Sequence, residues 1–198
     1  MRPRRLFSPA LLAWTLSALA AEGNAMDSKT STTIAQKAQA EQGWEAEEVR
    51  VDEVESIRRG SCSFYEAGHK RKPLPYVANY ALLSDGQVIG LKDKDAVAKI
   101  LDACGGADAP AGWWAEVVTR FHGSLGAGVV LHDEQQEPPV LRKMKAAGKS
   151  FAPPALSSEG GAKVLTYFVL EPEAYILYHV TATRGADGSI EVGRTEAP

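Results

Sequence analysis

The chain has 198 residues, 44% of them hydrophobic and 24% charged, with a formal net charge of −3. That apolar fraction suits a chain that buries a core, and the mild acidity excludes nucleic acid as a main partner, because its binders carry clustered excess Lys and Arg. Neither an internal repeat nor a long low-complexity tract divides the sequence.

Met1-Arg2-Pro3-Arg4-Arg5 precedes an apolar run from Leu11 to Ala21 and small residues at Ala18, Ala20, Gly23 and Ala25, the pattern of a secretory signal peptide over residues 1–25. The run is about a dozen residues long, short of the roughly 20 that a membrane-spanning helix needs, so no stable membrane anchor is expected after cleavage. Met26 is the alternative start. Cleavage after Ala25 would leave 173 residues with 19 basic and 24 acidic side chains, a net charge of −5. Such a length fits one domain.

Residues 26–43 are mostly Ser, Thr, Gln, Lys and Ala, with Ile34 as the large aliphatic side chain, so a flexible or frayed segment is expected ahead of a single domain over residues 44–198. Residues 44–57 alternate at Val49 and Val51, which favours a strand over the helical spacing of Val51, Val54 and Ile57. A β-prone run follows at residues 61–65. Then comes His69-Lys70-Arg71-Lys72, a basic loop closed by Pro73 and Pro75, read either as a solvated connection or as a contact for an anionic ligand.

Residues 76–91 read as a β-hairpin, with Tyr76, Ala78, Tyr80 and Leu82 on one face and Asp85-Gly86 in the turn, where both residues tolerate positive φ. A helix is expected over 92–104: Asp93 or Asp95 caps it, Val97, Ile100, Leu101 and Cys104 recur at spacings of three and four, and Gly105-Gly106 stops it. A second helix, over 110–122, carries Trp113, Val117 and Phe121 one turn apart, with His122 at its end and Gly123 at the left-handed cap position. A short strand at 129–131 ends in His132-Asp133. A third helix is expected over 139–147 and a loop over 151–154. Strands at 164–170, 174–183 and 189–194 close the chain, the last two joined by a turn at Ala186-Asp187-Gly188. Strands and helices are grouped, so the predicted fold is α+β, an antiparallel sheet with about three helices mainly on one face.

Cys62 and Cys104 both follow the apolar run, and an even cysteine count in an exported chain predicts a structural disulfide; without a CxxC spacing, redox chemistry is disfavoured. Trp113 and Trp114 project about 100° apart on a helix; the favoured reading is that both pack into a helix-on-sheet core and a neighbouring helix, the alternative being that one of them is an exposed interface anchor. His122, His132 and Asp133 are the candidates for a catalytic pocket, if the helix end and the strand end meet. Ser124 beside His122, or Cys62 near His69, are further nucleophile candidates, but neither has the surrounding motif of a hydrolase. No HExxH, CxxC or His-x-His spacing occurs, so neither a metal nor a cofactor is expected.

By elimination, the sequence predicts a periplasmic or secreted, non-catalytic binding module that recognises a protein or an envelope component, an inhibitor or immunity-type protein being one such class. Its candidate binding residues are Trp113, Trp114, His69, Lys70, Arg71 and Lys72. The alternatives are an envelope hydrolase with a pocket at His122, His132 and Asp133, and a domain that encloses a small apolar ligand.

Overall fold

The computed structural model describes residues 28–71, 77–125, 128–133, 142, 146, 148, 150–171, 174 and 176–197. The expected signal peptide at 1–25, Lys72, and nearly all of the helix expected at 139–147 lie outside the described residues. Helix α1 (Ser28–Gln42) comes first, followed by strands β1 (Val49–Glu53), β2 (Ser63–His69), β3 (Val77–Leu82) and β4 (Val88–Gly90), which form an antiparallel sheet in that order. Helices α2 (Ala96–Ala103) and α3 (Ala111–Phe121) come next. A second antiparallel sheet holds β5 (Val129–Val130), β7 (Ala162–Glu171), β8 (Ile176–Arg184) and β9 (Ile190–Glu196), and β6 (Ala155–Glu159) pairs with the edge of β7 that β5 also borders.

The fold is therefore α+β with antiparallel sheets and three described helices. The strands divide between two sheets, and the helices lie on both faces of the first. Alternation along β2 and β3 explains why. Tyr65, Ala67, Ala78 and Tyr80 point to one side, where they bury Ile34 and Ala38 of α1. Phe64 and Ala81 point to the other side and join Val97, Ile100 and Leu101 of α2 and Trp114, Val117 and Phe121 of α3. The same cluster takes in Leu165, Tyr167 and Val169 of β7 and Val180 of β8. Thus α2 and α3 are sandwiched between the sheets, and a single antiparallel sheet with one wet face is replaced by strands buried on both sides.

The segment expected to be flexible or frayed carries α1 over residues 28–42. Ile34 and Ala38 are fully buried in it, so two apolar side chains meeting an aromatic sheet face dock a helix whose own sequence carries little apolar surface. At the β3–β4 turn, Gly86 alone takes positive φ, +85°. Its amide donates to the Leu83 carbonyl (3.0 Å), Leu83 N–H donates to Gln87 O (2.9 Å), and Asp85 Oδ1 accepts from Gln87 N–H (2.9 Å). This is a type I turn closed by a left-handed glycine, in place of the two-residue turn expected. The β8–β9 turn repeats it, with Gly188 at φ +83°, Gly188 N–H on Gly185 O (3.0 Å) and Asp187 Oδ1 accepting from Ser189 N–H (3.0 Å).

Cys62 and Cys104 form a disulfide, their Cα atoms 5.7 Å apart and their sequence separation 42. It ties the segment before β2 to the end of α2, where Gly105 at φ +70° stops the helix. The cap expected from Asp93 or Asp95 differs: Asp95 sits at the N-cap in the left-handed region without a side-chain cap bond, and Asp93 Oδ2 accepts from Gly90 N–H at 2.6 Å.

Candidate functional site

Trp113 and Trp114 are both buried, at 7% and 1% exposure, which overturns the reading of an exposed tryptophan anchor. Two sheets are available, and each takes one ring. Trp113 packs edge-on against Phe64 of the first sheet, centroids 6.1 Å apart, and donates from Nε1 to Ile57 O at 2.7 Å. Trp114 lies under Lys163 of β7, Nζ 5.7 Å from its ring centroid, and donates to Gly106 O at 2.7 Å. Both indole N–H groups are satisfied, as burial requires.

The basic loop is stitched to its own chain. Glu48 Oε2 pairs with His69 Nε2 at 3.1 Å and Glu48 Oε1 with Arg71 Nη1 at 3.0 Å, while Lys70 Nζ donates to Glu47 O at 2.6 Å. Trp44 meets the His69 ring edge-on at 6.0 Å. Glu48 thus answers both His69 and Arg71, whereas Lys70 meets the backbone carbonyl of Glu47. Lys72 falls outside the described residues.

His122 and His132 do not converge: each borders its own cleft. The larger cleft, about 500 Å³, lies between α2, the end of α3 and the β8–β9 turn, and is lined by His122 with Asp93, Asp95, Asp102 and Asp187. His122 leaves α3 in an extended conformation, and Gly123 does not adopt the left-handed cap conformation expected of it. The Nδ1 of His122 lies 2.8 Å from Ser124 Oγ, so the structure does bring that pair together. Burial holds the His122 pKa below the ordinary 6.5, which leaves the ring neutral at pH 7 and free to accept the serine proton. Among the described residues, no carboxylate hydrogen bond to the other ring nitrogen accompanies this contact.

The second cleft, about 310 Å³, is lined by Ser56, Arg58, Arg59, Trp113, Glu116 and His132, among others. Asp133 lines neither cleft; the acid facing His132 is Glu116, whose Oε1 lies 2.7 Å from His132 Nε2. Glu116 Oε2 accepts from Arg120 Nε at 3.0 Å, and Arg120 Nη1 reaches Glu66 of β2 and, at 3.2 Å, Asn79 Oδ1 of β3. Burial works against the Arg120 charge, but the Glu66 and Glu116 carboxylates outweigh it and hold the guanidinium pKa above its ordinary value. The chain His132–Glu116–Arg120–Glu66 thus bolts the strand-end loop, α3 and the first sheet together. Against Gly112 the fit is close: a Cβ there would come within 3.0 Å of His132 Nδ1. The second ring nitrogen therefore abuts the first turn of α3, which leaves little space for a nucleophile beside it.

The walls of this cleft are preorganised. Arg59 pairs with Cys62 in an isolated bridge, its Nε donates to Gly105 O at 3.2 Å, and its guanidinium stacks over Trp113, 5.6 Å from the ring centroid. Cys62 and Cys104 cross-link the segments that carry Arg58–Arg59 and Gly105–Gly112. Sequence reading missed Arg58, Arg59, Glu116 and Arg120. The spacing of Glu116 and Arg120, four residues apart on one helix, was the available signal. No group of three or more His, Cys, Asp or Glu among the described residues is placed to hold a metal ion, and no helix among them is long and apolar enough to cross a membrane. Comparison with protein-family models, with curated proteins and with solved structures finds no match.

Proposed function

We propose that the chain is an exported, non-catalytic binding module that recognises a protein or an envelope component, as inhibitors and immunity proteins do, and that the His132 cleft is its contact. The observation that carries this reading is the cross-linked frame of that cleft. Arginine, tryptophan and histidine side chains sit at a surface depression whose two walls are joined through Cys62–Cys104. Arginine is enriched at interface hot spots, and a preformed rim lowers the ordering cost of association. A disulfide also suits an oxidising compartment, and with the leader-like N-terminus it supports export. Both clefts are lined by charged side chains, which argues against a small apolar ligand.

The test is affinity capture from envelope extract with the mature, disulfide-intact protein. The Arg58→Ala/Arg59→Ala double variant is expected to lose the specifically captured species by at least roughly thirtyfold, the effect of one hot spot, while it stays folded by circular dichroism with a lowered melting temperature, because Arg59 also bonds to Gly105 O and stacks over Trp113. A Lys70→Ala/Arg71→Ala variant should capture as wild type. Equal capture by all three proteins rejects the His132 cleft as the contact.

A second reading is favoured by one contact, the Ser124–His122 pair in the aspartate-lined cleft: a hydrolase in which neutral His122 takes the Ser124 proton. A serine-directed fluorophosphonate probe decides it. Labelling at Ser124 that His122→Gln abolishes supports the enzyme; an unlabelled Ser124 removes it.

A further inference from the structure

We infer that α1 is a releasable strap, which opens as a unit about Gly43 while the rest of the fold stays closed, and so uncovers an aromatic face of the first sheet. This inference is independent of the binding reading above. Four observations carry it. The helix buries only Ile34 and Ala38 fully, out of fifteen residues. Ala35 adds a partly buried contact, and polar contacts hold its C-terminal half: Lys37 Nζ, paired within the helix with Glu41 at 3.2 Å, meets Asp93 at 2.9 Å, and Lys92 reaches the Glu41 carbonyl.

Beneath that end the packing is frustrated. Glu41 Oε2 and the hydroxyl of fully buried Tyr80 are both buried without a well-formed hydrogen bond, although the two groups face each other. The carboxylate is pressed against Gly90, where a Cβ would fall 2.6 Å from Glu41 Oε2. Desolvated polar atoms without proper partners oppose docking, and opening would return both to water. Finally, Gly43 follows α1 at φ +70°, a conformation glycine adopts without strain, and supplies a hinge. The uncovered surface would comprise Tyr65, Ala67, Ala78 and Tyr80.

Native-state hydrogen exchange on the disulfide-intact chain tests this. The amides of residues 34–42 are expected to show protection at least roughly a hundredfold below those of residues 115–121 in α3, as a locally opening unit does. Ile34→Ala should speed exchange in α1 at least tenfold, a conservative figure for truncating a buried aliphatic side chain, and leave α3 unchanged. Glu41→Gln separates frustration from clamping. The amide is isosteric and neutral, so relief of the buried charge should slow α1 opening by roughly tenfold, whereas a Glu41 that holds Lys37 in place for Asp93 would make the same variant open faster. Equal protection in α1 and α3, a joint rise in both on Ile34→Ala, or faster α1 exchange in Glu41→Gln each overturns the strap.

Discussion

Helices α1 and α3 cover opposite faces of one sheet by opposite means. Seven of the eleven residues of α3 are buried, its two indoles bond to neighbouring carbonyls, and its Glu116 and Arg120 reach the strand-end loop and the sheet. In α1 two residues are fully buried, the Lys37–Asp93 ion pair helps hold it, and Glu41 Oε2 is buried without a well-formed hydrogen bond. Amphipathic burial, more than helix propensity, decides how firmly a helix is held. The difference therefore predicts a molecule with a stable interior between its sheets and a loosely held cover outside one of them.

The sharpest way to break that interior is Trp114→Ala. The ring is enclosed between α2, Gly106 and the second sheet, a site that cannot easily collapse, so the expected loss is about 4–5 kcal/mol. Urea unfolding should show it as a fall in midpoint for the whole domain. Next comes Cys62→Ala/Cys104→Ala. Releasing a loop of 42 residues' separation should cost about 4 kcal/mol in the chain-entropy model. It should also loosen the Arg58–Arg59 wall, so weaker capture at full folding would show that the disulfide preorganises the cleft. For Ile34→Ala the contrast reverses. A buried isoleucine ordinarily costs about 2–5 kcal/mol, but a helix that lets go caps the loss at its own docking free energy. Global stability should therefore fall by less than about 2 kcal/mol. A full-sized loss would mean that α1 is integral to the cooperative unit.

What was legible in the sequence follows the same divide. α3, α2 and the C-terminal strands announce themselves because their apolar side chains recur at the period of the element, and Cys104 falls on the buried stripe of α2 toward Cys62. α1 was illegible because its docking depends on Tyr65 and Tyr80, residues far along the chain, and a Ser/Thr-rich segment with one large aliphatic gives no periodic signal. The strand β6 was hidden in the same way. Its residues Ser157, Ser158 and Glu159 are exposed and polar, and only the Gly160-Gly161 pair, both at positive φ, marks the turn that folds it onto β7.

The histidines fared worse than the helices. A pocket of His122, His132 and Asp133 requires the helix end and the strand end to meet, but the two histidines border separate clefts and the acid that meets His132 comes from α3, sixteen residues earlier. For Trp113 and Trp114 the core reading holds and the interface reading fails: their 100° separation is met because the fold supplies a sheet on either side of the helix.

The smallest predicted effect concerns His122, at the end of the firmly held helix, and it is a matter of sign. Burial lowers its pKa in the folded state below 6.5, although four aspartates share its cleft and would favour the imidazolium. Desolvation wins. Above pH 7.5 the ring is neutral whether the chain is folded or unfolded, and it contributes no pH dependence. As pH falls through 6.5 the unfolded chain binds the proton first, so stability declines, and the decline stops once pH passes below the folded-state pKa. His122→Gln keeps a partner for Ser124 and removes the titration. Urea unfolding of both proteins between pH 5 and pH 8 should show the wild type losing stability relative to the variant as pH falls. Parallel profiles would mean that the aspartates offset the burial.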